Sequence, residues 1–172
     1  MAVKKILTEP NKLLRQVSMT VEVVGKDEQI LMDEMLETMY DANGIGLAAI
    51  QIGIPKRIIV LDISKDEKQK DPKFFVNPII KNKDLLKATY EEGCLSVPGQ
   101  FAEIDRPKKC EVEYLDYNGK KSFLFAEGLL ATCIQHEMDH LEGVLFIDYL
   151  SKLKKSMIIK KLSKNKSTRI VV

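Results

Sequence analysis

The chain has only two histidines, and both fall in one pentapeptide, His136-Glu137-Met138-Asp139-His140. On an α-helix, residues four apart are neighbours, with Cβ atoms about 5–6 Å apart. Two imidazoles at that spacing can grip one metal ion, and Glu137 stands where it can reach a water on that ion. The preceding run Leu129-Leu130-Ala131-Thr132-Cys133-Ile134 predicts a buried helix, and a buried imidazole needs a partner. A catalytic site of this type takes three protein ligands and keeps a fourth position open. With no third histidine, the last ligand falls to Cys94, Cys110, Cys133 or an acid. Cys133 lies one turn before His136, and three ligands on one straight helix point away from a common centre. It reads instead as a small apolar residue that packs or lines a pocket. Cys110 opens a strand pattern and reads as core. Cys94 differs, because glycines and Pro98 in Glu91-Glu92-Gly93-Cys94-Leu95-Ser96-Val97-Pro98-Gly99 predict an irregular backbone that aims a side chain. Cys94 is the favoured third ligand.

A second chemical feature is Gly44-Ile45-Gly46-Leu47-Ala48-Ala49-Ile50-Gln51. No Lys-Ser/Thr follows it and the G-x-G-x-x-G pattern is incomplete, so it is not read as a phosphate loop. Small residues in an extended segment allow another backbone to approach. Gln51, a lone amide in an apolar stretch, is either a satisfied core group or a donor to a developing oxyanion.

The elements that must carry these residues follow from periodicity and turn signals. A short turn is expected near Pro10 to Leu14, then a helix over 27–42, with Asp27 as cap and a stripe of Ile30, Leu31, Met35, Leu36 and Met39. Asn43-Gly44 stops it. Strands are predicted over 46–52, 57–63 and 74–80, the last an edge or broken strand because of Pro78. Another runs over 110–117, and Asn118-Gly119 turns it into a partner over 122–126. The histidine helix is expected over 129–141, ending near Gly143, and a third helix over 151–163. These elements predict an α+β fold, with small, partly antiparallel sheets around a central metal-binding helix and a helix towards each end.

The chain has 172 residues, 45% hydrophobic and 30% charged, proportions of one globular domain rather than a disordered or fibrous chain. Its net charge of +2 is uneven. All 25 acids and 19 of the 27 Lys and Arg lie in residues 1–150, expected to be a single catalytic domain. Residues 151–172 hold the remaining eight bases and no acid, an expected basic C-terminal helix and tail. That balance excludes a general nucleic-acid binder and a specific DNA binder. No apolar run approaches the roughly 20 residues of a membrane span, and Glu9-Pro10 leaves no room for a signal-peptide core. The reading is a cytoplasmic chain whose three cysteines stay reduced.

Three segments, Gly44 to Gln51 (G-x-G-L-A-A-x-Q), Glu92 to Ser96 (E-G-C-L-S) and Gln135 to His140 (Q-H-E-x-D-H), match the signature motifs of the peptide deformylases in order and with compatible spacing. From its first residues to about Leu150 the chain resembles the bacterial type of that family. The resemblance implies that Cys94, His136 and His140 are the metal ligands. It implies Glu137 as the catalytic acid/base, with Gln51 and the backbone N–H of Leu95 as oxyanion donors. It implies hydrolysis of the formyl group from the N-terminal formyl-methionine of newly made polypeptides, with release of formate. The cofactor implied is one divalent ion per chain, Fe(II) in the cell, with Zn, Ni or Co able to replace it. Water activated on that ion attacks the formyl carbon, and Glu137 passes the proton to the departing amine. An extended substrate could add beside the strand Gly44–Gln51, with Gly46 allowing the approach. Leu129 and Cys133 share a helix face with His136, and with Ile45 they are expected to form the methionine pocket. Glu92 and Arg106 resemble an ion pair that braces the cysteine segment. Some bacterial members have Arg where this chain has Phe101, which bears on side-chain preference along the groove and leaves the chemistry unchanged. The basic tail suggests an electrostatic contact with the ribosome. The rival readings are an H-E-x-x-H zinc peptidase, a cysteine-nucleophile hydrolase and a non-catalytic ribosome-associated module.

Overall fold

The computed structural model describes residues 2–171, with side chains through Lys164. The expected α+β class is what the chain adopts. Helix α1 (Lys26–Asp41) opens on Gly25 rather than on Asp27. The Gly25 N–H donates to the Glu28 carboxylate at 3.0 Å, and Asp27 and Glu28 lie in the first turn, where the helix dipole favours negative charge. Its inward stripe is Leu31, Met32, Met35, Thr38 and Met39. Ile30, expected on that stripe, is exposed, and Met32 takes its place. The helix ends as Asn43 turns left-handed (φ 54°).

Five antiparallel strands form the main sheet in the order β1 (Gly46–Ala48), β2 (Ile58–Leu61), β3 (Lys73–Lys83), β6 (Lys109–Leu115), β7 (Lys121–Glu127). The strand expected over 46–52 stops at Ala48. There the Gln51 side chain accepts the Ala48 N–H at 2.9 Å and the backbone folds into a short 3-10 turn, Ala49–Ile52. β3 lies in the middle of the sheet, not at its edge. Pro78 is tolerated because the ladder shifts register between Val76 and Ile79, with Asn77 in the left-handed region (φ 49°). The Asn77 amide bridges the backbone N–H and C=O of Val21, both at 2.8 Å. Gly119 (φ 79°) closes the expected turn between β6 and β7.

A second sheet is a long hairpin of β4 (Lys87–Cys94) and β5 (Val97–Pro107), and the irregular backbone expected around Cys94 is confined to the register shift at Gly93/Cys94, the turn at 95–96 and Gly99 (φ 74°). Helix α2 (Gly128–Leu141) has nine buried residues and packs between the two sheets. Alternate residues of β1 and β2 face opposite sides. Leu47, Ile58 and Val60 pack with Met32, Met35 and Met39 of α1. Ala48, Ile59 and Leu61 pack with Ala131 and Ile134 of α2. Both faces are covered, so these strands are buried at every position.

Helix α3 (Lys152–Val171) runs past the expected end at 163. Ile158 and Leu162 dock it against Val97, Ile104, Phe146 and Ile147, while Lys152, Lys154, Lys160 and Lys161 face outward. The side chains of Lys166 and Arg169, the last bases of the tail, and the whole of Val172 lie outside the described residues. Among the described residues no helix is long and apolar enough to cross a membrane.

Candidate active site

Helix α2 carries His136 and His140 on the face turned toward the β4–β5 hairpin, and Cys94 closes the end of β4. One ligand atom from each of Cys94, His136 and His140 lies within 4.8 Å of the other two. Cys94 Sγ is 3.3 Å from His140 Nε2, and the two imidazole rings stand edge to face at 5.2 Å. No other His, Cys, Asp and Glu set among the described residues converges in this way. Of the three cysteines, Cys94 is the one that stands with both histidines in a group that could hold a metal ion. Burial pushes the Cys133 thiol up to about 12 and raises Cys110 as well, so both stay protonated near neutral pH. A thiolate and two imidazoles are a donor set that several divalent metals accept.

The histidine is held from behind by charge. His136 Nδ1 meets Glu92 Oε1 at 2.8 Å, which leaves Nε2 as the ring nitrogen turned toward Cys94 and Glu137. Arg106 grips Glu92 with two bonds, Nε to Oε2 at 2.6 Å and Nη2 to Oε1 at 2.9 Å. Its Nη1 donates to Asp139 at 2.8 Å, and Tyr149 donates to the same oxygen at 2.8 Å. Burial opposes charge on Glu92, but bonds from His136 and Arg106 outweigh it and hold the carboxyl below its usual range. At His136, burial is likewise outweighed by the contacts with Cys94 and Glu92 and the charge of Glu137, so the position favours positive charge. The same field favours a cation between the three donors. Burial keeps His140 neutral.

Glu137 Oε1 lies 4.0 Å from His136 Nε2. Its other oxygen, Oε2, is buried with no protein partner. Burial pushes its pKa up to about 7. That combination suits a group that takes and returns a proton near neutral pH. Gly46 makes room for it, since a Cβ there would sit 2.5 Å from Glu137 Oε1. Gln51 is fixed at both ends of its amide. Oε1 holds the Ala48 N–H, and Nε2 donates to Ser96 Oγ at 3.0 Å and lies 3.6 Å from Cys94 Sγ. The Leu95 N–H belongs to the two-residue turn between β4 and β5, outside both strands. Gly44 packs against the Leu95 side chain, which joins the Gln51 segment to the cysteine turn.

A cavity of about 440 Å³ opens beside these groups. Gly44, Ile45, Gln51, Leu95, Leu129, Cys133 and Glu137 are among its walls. The residues that the resemblance implied for the site therefore border the cavity, belong to the donor triad or brace it, while Cys110 packs in the core as expected. Phe101 also lines the cavity and lies over Gly93, its cross-strand partner. Three contributors were not foreseen. Ser96 (0% exposed) anchors the Gln51 amide, and Asp139 and Tyr149 extend the grip on Arg106. Ser96 and Asp139 lie inside quoted motifs, so their positions were signalled although their roles were not. Tyr149 had no local signal.

Residues 3–156 match the polypeptide deformylase family model. The peptide deformylase of Pelagibacter ubique (strain HTCC1062) is 77% identical over 172 residues, all of both chains. The crystal structure of peptide deformylase from Ehrlichia chaffeensis superposes with a TM-score of 0.94 at 42% identity, over 98% of this chain and 99% of that one. A structure of peptide deformylase from Ehrlichia chaffeensis in complex with actinonin superposes with a TM-score of 0.90 at 44% identity, over 96% and 98% of the two chains.

Proposed function

The chain belongs to the polypeptide deformylase family, and from that premise we propose that it hydrolyses the formyl group from N-terminal formyl-methionine at one divalent cation held by Cys94, His136 and His140. Its enzyme class is that of the peptide deformylases. The observation that carries the reading of the site is the convergence of these three donors within 4.8 Å beside the buried Glu137, whose pKa burial raises. When bound, the cation supplies Lewis acidity, activating water and polarising the formyl carbonyl. Glu137 takes the proton of the attacking water at its carboxylate and returns it to the departing amine. Gln51 Nε2 and the Leu95 N–H donate to the formyl oxygen as it gains charge. The substrate chain lies extended along the outer edge of β1, the free end of the main sheet. Ile45, Leu129 and Cys133 receive the methionine side chain. Glu92, locked by Arg106, orients His136.

Fe(II) is the ion proposed for the cell, with Zn, Ni and Co able to stand in, because a Cys-His-His set does not itself select among them. The site of action is the cytoplasm, on nascent chains. The test is formate release from formyl-Met-Ala-Ser by anaerobically purified protein, with metal analysis and Glu137→Ala in parallel. Turnover, about one metal per chain and a dead variant with unchanged metal content support the reading. A metal-loaded, folded wild-type protein that releases no formate overturns it.

In this reading residues 1–150 are the catalytic unit, and the bases of residues 151–172 meet ribosomal RNA. Ile158 and Leu162 anchor α3, so the variant to use reverses Lys154, Lys160 and Lys161 to Glu rather than deleting the helix. Co-sedimentation with ribosomes should weaken and lose its salt dependence, with turnover of short formyl peptides unchanged. Unchanged co-sedimentation defeats this part of the proposal.

A further inference from the structure

At the far end of the main sheet from β1, strand β7 leaves a second edge without a strand partner among the described residues. In an antiparallel ladder every second residue turns its N–H and C=O away from the neighbour it pairs with, so an edge of this kind is a template for another strand. Natural edges are usually blunted by inward charges, proline or bulges. β7 has none of these between its ends. It reads Lys121-Ser122-Phe123-Leu124-Phe125-Ala126-Glu127, and its register with β6 is unbroken. Phe123 and Phe125 are 55% and 77% exposed on its outer face, an unusual placement for two large aromatics.

We propose that β7 pairs antiparallel with β7 of a second copy of this chain, about a two-fold axis through Leu124. The residue order itself selects the partner. Centred on Leu124, the outer face places Lys121 opposite Glu127, Phe123 opposite Phe125, Phe125 opposite Phe123 and Glu127 opposite Lys121. An aromatic ladder of four rings forms, closed at each end by an ion pair. Cross-strand aromatic pairs and opposite charges are the contacts that stabilise such a ladder. Centring on Phe123 would set Lys121 against Phe125, and centring on Phe125 would set Phe123 against Glu127, so the alternatives lose both kinds of match. A slip to a half-residue centre sends the phenylalanines to opposite faces. On the inner face Ser122 meets Ala126 and Leu124 meets itself.

Within one chain Lys121 already sits 2.5 Å from Glu113, and Glu127 is 3.6 Å from Lys109. The added pairs therefore continue an existing row of alternating charge. The contact is isologous and closed, so it stops at two copies. Because β1 lies at the opposite end of the strand order, both candidate active sites stay open in the resulting ten-stranded sheet.

A seven-residue strand pair falls at the small end of specific interfaces, so the dimer forms as concentration rises rather than at all dilutions. The experiment uses the full-length, metal-loaded protein. Sedimentation equilibrium from about 10 µM to 1 mM should show a rise from monomer to dimer mass. Phe125→Lys should shift that equilibrium at least about tenfold toward monomer, with circular dichroism and formate release unchanged. Under mild oxidation Leu124→Cys should form a disulfide between two copies, mapped by mass spectrometry, because residue 124 faces itself across the axis. Ser122→Cys, whose counterpart lies four residues out of register, should not. A monomer throughout the range overturns the proposal. So does a dimer indifferent to Phe125→Lys, or one in which Leu124→Cys forms no bond or Ser122→Cys links as readily.

Discussion

A single methyl group at Gly46 tests how tightly the candidate base is held. A Cβ at this position would lie 2.5 Å from Glu137 Oε1, 2.9 Å from Glu137 Cδ and 2.9 Å from Leu61 Cδ2. Ordinary contact begins at 3.4 Å, so something must retreat by about 0.5–0.9 Å. Leu61 is fully buried in β2, packed with Ala131 and Ile134 of α2. Glu137 borders the cavity and has one unpartnered oxygen, so the carboxyl group is the part that moves. Displacing a reacting group by roughly 1 Å costs on the order of 10²-fold in rate, and overpacking a filled core costs about 1–3 kcal/mol. Gly46→Ala should therefore lower kcat/KM for formyl-Met-Ala-Ser about 100-fold and lower Tm by several degrees, with metal content unchanged. Adding Leu61→Val removes the second collision but not the first. The double variant should regain much of the lost Tm while its kcat/KM stays low. Gly46→Ala with kcat/KM within about threefold of wild type would refute the reasoning, as would recovery of rate by Leu61→Val.

Three further expectations follow from the same geometry. Glu92→Gln keeps the shape but removes the charge that pairs Arg106 and orients His136. Metal affinity, read by competition with a chelator, should fall about 10–100-fold, and equilibrium unfolding should show a loss of up to about 3–5 kcal/mol because Arg106 keeps only Asp139. Glu137→Gln should cut turnover at least about 100-fold with full metal loading, measured by formate release and metal analysis on one sample. Asp62 supplies a pH signature away from the site. Burial opposes its ionisation, but hydrogen bonds from Ser64 and Tyr40 outweigh it and hold its pKa below the usual carboxylate range. Its stabilisation is therefore complete above its unfolded value of about 3.9 and is lost as pH falls through the lower folded value. Thermal melts of Asp62→Asn and wild type should differ at neutral pH and converge in acid, and a difference that persists at the acid end argues against the assignment.

The site was more legible in the sequence than the fold that builds it, and β4–β5 shows why. An i, i+4 histidine pair with glutamate between them carries its chemistry in residue types and local spacing, which helix geometry turns directly into convergence. The hairpin of β4 and β5 left no such mark, because two of the four buried positions on its strands are Glu92 and Arg106 rather than apolar residues. A strand whose inward positions are charged shows no hydrophobic alternation, so period-2 reasoning passes over it. β3, expected as an edge or broken strand, is the broken one, in mid-sheet, for a related reason. Pro78 argues for an edge, and only the distant Val21, whose backbone closes on Asn77, makes the interruption tolerable in mid-sheet. These two deviations thus share an origin. Desolvated ions and a broken ladder are costly by themselves, and each is stabilised by a partner far along the chain: Arg106 by Asp139, His136 by Glu92, Asn77 by Val21. Glu92 and Arg106 look like surface residues in sequence because their charges are satisfied only once α2 lies across the hairpin. The bracing of the candidate metal ligands is therefore a product of tertiary structure, while the ligands themselves are visible in the primary one.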